Sequence, residues 1–195
     1  MRDPVFPFSN EELLCFFAVL VRISTMLMVM PVFGDRFVPG PVKILLALSA
    51  SFAIFPALLN SGLVRPADAI AWGASTAGIA GVVAMEAFAG MVLGFVSRLL
   101  FEAFTFSGNL SGTYMGFASA SYFDPHMENQ SQVVAELQMA LVMLMFLALD
   151  GHHLLLRGAL GSYQWLPLGA AGISEAASTK LIEMTGEMIR IGVQL

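Results

Sequence analysis

Long apolar runs dominate this sequence and leave few folds open to it. They cover residues 13–33, 44–59, 67–106, 133–149 and 154–168, separated by short connections. Hydrophobic residues make up 57% of the chain and charged residues 12%. That charged share is about half of what a soluble domain carries. The sequence therefore predicts a membrane-class chain whose apolar runs are helices.

The apolar runs do not match simple membrane spans. A helix needs about 20 apolar residues to cross the hydrocarbon core of a bilayer, and only the first run meets this cleanly. The second run is short and contains Pro56, which predicts a half-length or tilted helix. The third is too long for one span, so we expect two helices or one long bent helix. Hydropathy thus predicts four or five spans, and scattered basic residues leave their orientation open.

Both ends of the sequence carry helix signals. Ser9 is a good helix cap, and Glu11 and Glu12 would lie in the first turn of a helix that begins there. The N-terminus lacks the cleavage pattern of a removable signal peptide, so we expect the first apolar run to remain in the mature protein. The last residues, MIRIGVQL, stop within an amphipathic pattern. We therefore expect residues 1–195 to form a single helical domain of a chain that naturally continues.

Ionisable residues inside or beside the apolar runs are predicted to be buried charges. These residues are Arg22, Glu86, Arg98, Glu136 and Asp150. A charge in hydrocarbon costs about 3 kcal/mol on insertion scales, so each should face protein or water and find a partner. Glu102, four residues after Arg98, allows a local pair. Two interpretations stay open, a proton relay or structural ion pairs between helices. The second is favoured because the carboxylates do not gather on one helix face.

Glycines recur every four residues along and beyond the third apolar run. Gly90 and Gly94 form a GxxxG pair, and Gly108 and Gly112 continue the spacing toward Gly116. On a helix these glycines line one face and let another backbone approach closely. The pattern predicts close helix packing at Gly90, Gly94, Gly108 and Gly112.

Adjacent histidines follow an Asp-Gly turn signal in the segment LDGHHLLLRGALGSYQWLPLG. His152 or His153 can cap the following helix or pair with Asp150. Neighbouring side chains on a helix diverge by about 100°, so these two do not form the i, i+4 ligand pair of a zinc protease. The sequence contains no nucleophile elbow and no P-loop, and its one cysteine offers no metal site. We therefore expect no catalytic residue, no metal and no cofactor.

The segment GTYMGFASASYFDPHMENQSQ, residues 112–132, is unusual for its place between two apolar runs. It is too apolar for a surface loop and too broken by glycine and proline for a membrane helix. Methionine and aromatic side chains can seal an opening by apolar contact. Non-helical backbone is tolerated where it lines a cavity or is held in protein. The residues alone leave two interpretations open, a pore plug and a packed re-entrant loop.

Three separated blocks of the sequence stand out together. They are RISTMLMVMPVFGDRFVPGPVKILLALSASFAIFP at 22–56, GNLSGTYMGFASASYFDP at 108–125 and LALDGHHLLLRGALGSYQWLPLG at 147–169. In this order they resemble the FliR/SctT family of export-gate subunits. The third block looks more flagellar than virulence-type. The resemblance covers nearly all 195 residues. It departs from the family pattern in one respect, because the family's final apolar hairpin is absent.

The resemblance implies an all-α membrane protein of helical hairpins, several of its helices kinked or short. It implies assembly with FliP-type and FliQ-type subunits, and with the FlhB-type subunit, into a helical export gate of the bacterial inner membrane. This gate would belong to the flagellar basal body, stand largely on the periplasmic side, contact lipid and pass unfolded flagellar proteins. The acidic net charge of −5, without a basic cluster, gives no reason to expect nucleic acid.

The resemblance also implies that a plug loop lies inside the pore. Its residues would be Met115, Gly116, Phe117, Ala118, Ser119, Ala120, Ser121, Tyr122, Phe123, Asp124 and Pro125. The alternative function is a polytopic ion-coupled transporter subunit. In that case Arg22, Glu86, Glu136 and Asp150 would form an ion path.

Overall fold

The computed structural model describes residues 9–34, 38–115 and 132–169, and every regular element among them is helical. The α-helices are α1 (Asn10–Val29), α2 (Pro31–Gly34), α3 (Gly40–Asn60), α4 (Ala69–Gly73), α5 (Thr76–Tyr114), α6 (Gln132–Ala148) and α7 (Gly151–Trp165). One 3-10 turn, Pro66–Asp68, precedes α4. The all-α class predicted from the sequence is confirmed.

Helix α1 begins with a reciprocal capping box at Ser9. The Ser9 hydroxyl oxygen accepts a hydrogen bond from the Glu12 backbone N–H at 3.2 Å. The Glu12 carboxylate accepts one from the Ser9 backbone N–H at 2.8 Å. Two of the N–H groups that a helix start leaves without partners are thereby satisfied. The helix start predicted at Ser9 is confirmed.

Helix α3 continues through Pro56 instead of ending before it. It is 21 residues long, so the half-length helix expected from the proline is wrong. Proline removes one backbone hydrogen bond and crowds the preceding turn. Membrane-class helices tolerate this where the freed carbonyl finds another partner. The helix ends four residues later, where the Ser61 N–H donates to the Ala57 carbonyl at 3.0 Å.

The third apolar run forms a short helix, α4, and a very long one, α5. They are separated at residues 74 and 75, and α5 then extends past the run to Tyr114. Its 39 residues correspond to about 58 Å of helix. The hydrocarbon core of a bilayer is about 30 Å thick. Helix α5 is therefore long enough to pass well beyond the core.

Three of the described helices, α1, α3 and α5, are long and apolar enough to cross a membrane. Helices α6 and α7 are too short to qualify singly, but together they form a candidate span that is bent by 70°. The described chain thus has three or four candidate spans by length and composition, where hydropathy predicted four or five. The difference arises because the last two apolar runs fold as one bent pair.

The chain divides into two compact units. The first contains the described residues up to Phe95 and those from Leu155 onward. Its core is built on one face of α1, where Cys15, Val19 and Ile23 are fully buried. This face shares a continuous apolar cluster with α3. The ring of Phe16 meets that of Phe55 edge to face, with centroids 5.5 Å apart.

The second unit runs from Val96 to Leu154. In it the C-terminal part of α5 packs against α6. The rings of Phe101 and Phe146 meet edge to face with centroids 5.4 Å apart. The Thr105 hydroxyl lies 3.9 Å from the Met139 sulfur. Apolar side chains hold this unit together, as the composition of its helices requires.

Candidate functional site

A fully buried ion pair joins α1 to α5 in the first unit. Arg22 and Glu86 are each only 1% exposed. The Arg22 Nε donates to Glu86 Oε2 at 2.6 Å, and Nη2 donates to Glu86 Oε1 at 2.9 Å. Two parallel hydrogen bonds between a guanidinium and a carboxylate are the strongest form of this pairing. Each charge thus has its counter-charge in a place where water cannot reach it.

The same guanidinium also binds the C-terminal end of α7. Its Nη1 donates to the Ser162 hydroxyl oxygen at 3.0 Å, and Nη2 donates to the Leu166 carbonyl at 2.9 Å. The Ser162 hydroxyl passes its own hydrogen to the Ala159 carbonyl at 2.6 Å. Carbonyls at a helix end have no partner within the helix, and a cation there is favoured by the helix dipole. Arg22 therefore satisfies both the Glu86 carboxylate and the end of α7.

The ring of Tyr163 covers the Arg22 guanidinium. The Cζ atom of Arg22 lies 3.8 Å from the ring centroid, and Tyr163 is 1% exposed. Such a contact contributes about 2 kcal/mol when the cation is desolvated. A buried ion pair is tolerated only when its remaining donors are also satisfied. The four hydrogen bonds and the stacked ring meet that requirement.

This charged junction has the geometry of a structural link between α1, α5 and α7. Both oxygens of Glu86 are engaged by the guanidinium, so the carboxylate is held and has little freedom to pass a proton onward. Of the two interpretations open from the sequence, the geometry favours a structural ion pair for Arg22 and Glu86. The junction can hold α1, α5 and α7 in fixed positions relative to one another.

Gly90 and Gly94 place the backbone of α5 directly against α1. A Cβ atom at Gly90 would collide with the Thr25 hydroxyl oxygen and the Arg22 carbonyl. One at Gly94 would lie 2.6 Å from the Met26 carbonyl oxygen and 2.8 Å from the Val29 Cβ. These separations are too short for any side chain. At both glycines, which the sequence analysis assigned to close helix packing, the backbone of α5 lies against α1 beside the ion pair.

Gly108 plays the corresponding part in the second unit. A Cβ there would lie 2.7 Å from the Cα of Ala135 and 2.9 Å from Gln138 Oε1, so α5 and α6 approach closely at this point. Gly112, one turn further, is also buried.

The remaining charges predicted as buried lie on the surface of this chain. Arg98 pairs locally with Glu102 at 3.2 Å, and both side chains are about half exposed. That local pair is confirmed, but burial is wrong for Arg98. Glu136 and Asp150 are exposed as well. A charge next to an apolar helix can avoid burial by pairing within its own helix or by lying at a helix end. Arg98 pairs within its own helix, and Asp150 lies at the end of a helix.

Asp150 and the two adjacent histidines form a compact polar cluster at the start of α7. Asp150 Oδ1 lies 3.5 Å from His153 Nδ1 and 3.9 Å from His152 Nε2. The histidine pairing with Asp150 that the sequence allowed is thus formed. Potential ligand atoms of these three side chains all lie within 4.8 Å of one another. Among the residues the structure describes, these three side chains form a group that could hold a metal ion.

The proposed plug lies almost wholly outside the described residues. Met115 is its one described member. The Met115 backbone N–H donates to the Ser111 carbonyl at 3.0 Å, and its side chain is exposed. Residues 116–125 fall in the part of the chain that the structure does not describe.

Sequence reasoning missed three groups of the charged junction, namely Ser162, Tyr163 and the Leu166 carbonyl. A backbone carbonyl carries no sequence signal at all. Ser162 and Tyr163 stand as a polar pair within α7, inside the segment that the sequence had singled out for its histidines. That pair was the available signal. Two polar residues in an apolar helix indicate that they contact another polar group, but the sequence does not show that this group is Arg22.

Comparison with known proteins gives consistent matches. The family model described as bacterial export proteins, family 1, matches residues 13–195. The flagellar biosynthetic protein FliR of Caulobacter vibrioides is 27% identical over 177 residues, covering 91% of this chain and 68% of the relative. FliR of Pectobacterium carotovorum is 32% identical over 181 residues, covering 92% and 66%. FliR of Escherichia coli is 27% identical over 180 residues, again covering 92% and 66%. The chain spans about two thirds of the length of these curated relatives.

Proposed function

The chain belongs to the bacterial export proteins, family 1, and from this premise we propose that it is a subunit of the flagellar type III protein export gate. The observation that carries the proposal is the match over residues 13–195 together with the shared name of its relatives, flagellar biosynthetic protein FliR. Its three or four candidate spans among the described helices support a location in the membrane.

The surface of the described chain supports a role within a larger assembly. Large apolar side chains are exposed on the three long helices, among them Met28 on α1, Leu45 on α3 and Phe106 on α5. Exposed apolar surface on this scale needs lipid or another protein to cover it. We propose that FliP-type, FliQ-type and FlhB-type subunits cover part of this surface and that lipid covers the rest.

The proposed gate conducts unfolded flagellar proteins through a pore that the assembled subunits enclose. Most of the assembly would stand on the periplasmic side of the inner membrane. The 39 residues of α5 support an assembly that extends beyond the bilayer core, because a helix of that length is longer than one membrane span. The chain itself is assigned no catalytic step in this proposal.

Within the gate, we assign the segment Met115 to Pro125 to the plug. Its composition supports the assignment, because methionine and aromatic side chains seal without requiring specific hydrogen bonds. The segment also follows directly on a glycine-lined helix, α5, whose Gly108 is closely packed. A closed plug would stop ions while the gate is idle and yield to a passing polypeptide.

The alternative function is an ion-coupled transporter subunit. It would need an ion path through Arg22, Glu86, Glu136 and Asp150. The geometry gives it little support, because Arg22 and Glu86 neutralise each other and Glu136 and Asp150 are exposed. Isolating the membrane complex separates the two functions.

The test is affinity purification of the tagged chain from membranes in a mild detergent, followed by mass spectrometry. The export gate predicts that distinct small apolar subunits co-purify in fixed ratios. The same tag on an unrelated inner-membrane protein serves as the control for detergent carry-over. Recovery of a stable homo-oligomer without other subunits would contradict the proposal and favour the transporter.

A further inference from the structure

The turn between α6 and α7 has a backbone geometry that gathers polar side chains. Asp150 adopts a left-handed conformation with φ of 54°, which is uncommon for a residue other than glycine but accessible to aspartate. Its carbonyl accepts hydrogen bonds from the backbone N–H groups of His153 at 2.9 Å and Leu154 at 3.4 Å. Asp150 therefore stands at the N-terminal end of α7, with its carboxylate beside the first helical turn.

Both histidines of that first turn face the Asp150 carboxylate despite being adjacent in sequence. Their ring centroids are 4.3 Å apart. The divergence expected between neighbouring helical side chains is thus overcome at the helix end, where side chains can turn toward the preceding loop. The Nδ1 atom of His152 is buried, which leaves Nε2 as the ring nitrogen that can coordinate a metal ion. That Nε2 lies 3.9 Å from Asp150 Oδ1.

The spacing of the donor atoms is close to that of a metal site. Zinc binds imidazole nitrogen and carboxylate oxygen at about 2.0 to 2.2 Å, so two ligands of a tetrahedral ion lie about 3.4 Å apart. Asp150 Oδ1 and His153 Nδ1 are separated by 3.5 Å. His152 Nε2 lies 3.9 Å from the same carboxylate oxygen, and the ligand atoms of the three side chains all lie within 4.8 Å of one another. Its neighbour Gly151 is packed under the Phe146 ring, which fixes the backbone of this turn.

We propose that Asp150, His152 and His153 bind a borderline divalent transition-metal ion of the Zn²⁺, Co²⁺ or Ni²⁺ class. Two imidazole nitrogens and one carboxylate oxygen are ligands suited to these ions, whereas Ca²⁺ and Mg²⁺ take oxygen ligands. Water completes the coordination on the exposed side. The ion ties the turn residue to the first turn of α7, at the point where the α6 and α7 pair is bent by 70°. The site does not depend on the export-gate function.

The experiment titrates the purified full chain, in detergent micelles, with Co²⁺ and then displaces it with Zn²⁺. Bound Co²⁺ reports its ligands through visible absorption bands, so the readout needs no activity. We expect saturation at one ion per chain. The variants His153→Ala and Asp150→Asn should each weaken binding at least about tenfold, the loss that changes outside the ligand shell already cause. Asparagine tolerates the left-handed backbone of residue 150, so Asp150→Asn removes charge without straining the turn.

The matched control is His126→Ala, which removes the third histidine of the sequence and leaves the cluster intact. It should bind Co²⁺ as the unchanged chain does. Circular dichroism confirms that each variant keeps its helix content. Absence of saturable Co²⁺ absorption in the unchanged chain would overturn the proposal. Equal affinity in the His153→Ala and unchanged chains would overturn it too, since binding would then occur elsewhere.

Discussion

Gly90 lies directly against Thr25, with no room for even a methyl group between them. The single hydrogen of the Thr25 hydroxyl is within reach of two carbonyls, that of Val21 at 2.8 Å and that of Arg22 at 3.1 Å. A Cβ at Gly90 would collide with that hydroxyl oxygen and with the Arg22 carbonyl. The close approach of α5 to α1 therefore occurs at the residue that carries the buried charge. Packing of the two backbones and pairing of the two charges depend on each other.

The first prediction tests this backbone contact. Gly90→Ala should lower the free energy of unfolding by about 1–3 kcal/mol, because an added carbon in a packed contact forces backbone shifts. The control is Gly81→Ala in the same helix, where nothing lies within 4 Å of the new carbon. That change should stabilise by about 0.5–1 kcal/mol through helix propensity. Unfolding in mixed micelles followed by circular dichroism measures both. Equal effects of the two variants would contradict the contact.

The second prediction concerns the buried ion pair. Arg22→Leu should destabilise the chain by about 3–5 kcal/mol, because it leaves the Glu86 carboxylate buried without a counter-charge. The double variant Arg22→Leu/Glu86→Leu should lose less than Arg22→Leu alone. Arg98→Leu is the control, since its exposed pair contributes at most about 1 kcal/mol. The same unfolding assay applies to all three. If Arg22→Leu cost no more than Arg98→Leu, the junction would not be stabilising.

The third prediction compares two glycines in the left-handed conformation. Gly62 has φ of +70° and open space around it, whereas at Gly169, with φ of +74°, a Cβ would lie 2.8 Å from Trp72 Nε1. Gly62→Ala should cost about 1–2 kcal/mol from backbone strain alone. Gly169→Ala should cost more, because the indole of Trp72 must also move.

Fluorescence distinguishes strain from displacement at these two glycines. The sequence has two tryptophans, so Trp165→Phe leaves Trp72 as the only one. In that background Gly169→Ala should shift the tryptophan emission to longer wavelength, and Gly62→Ala should leave it unchanged. An unshifted spectrum in Gly169→Ala would show that Trp72 does not pack on residue 169.

The fourth prediction tests the proposed plug. Deletion of residues 116–121 should make cells that assemble the gate leaky to ions and small molecules, because the apolar seal is removed. The control replaces the same six residues with glycine and serine, which keeps the loop length. Since residues 116–121 contain one large apolar side chain, Phe117, leakage in this variant would assign part of the seal to that side chain and not to loop length. Measurements of membrane permeability, with co-purification to verify assembly, decide the matter. Normal permeability in an assembled deletion variant would remove the plug from the proposal.

Much of the fold is readable from local sequence, because its causes are local. The capping box at Ser9 needs only residues three apart, and the glycine spacing on α5 needs one helical face. For α3 the half-length alternative is wrong, because a proline's effect depends on whether the surroundings satisfy the freed carbonyl. That information lies outside the local sequence.

The junction shows where sequence reasoning reaches its limit. Arg22 and Glu86 were both singled out, since a charge in an apolar run needs a partner. Their mutual pairing was not, because 64 residues separate them and several acids were candidates. Another contributor, the Leu166 carbonyl, is chemically the same as every other backbone carbonyl in the chain. Its role follows from its place at a helix end.

The order of the junction residues in the sequence also determines the order in which they are synthesised. Glu86 follows Arg22 by 64 residues and Leu166 follows by 144. At a synthesis rate of about 5–20 residues per second, Glu86 leaves the ribosome about 3 to 13 seconds after Arg22, and Leu166 about 7 to 29 seconds after it. During that interval α1 carries a cation whose counter-ion has not yet been made. We therefore expect Arg22 to stay in contact with water until α5 brings Glu86 beside it.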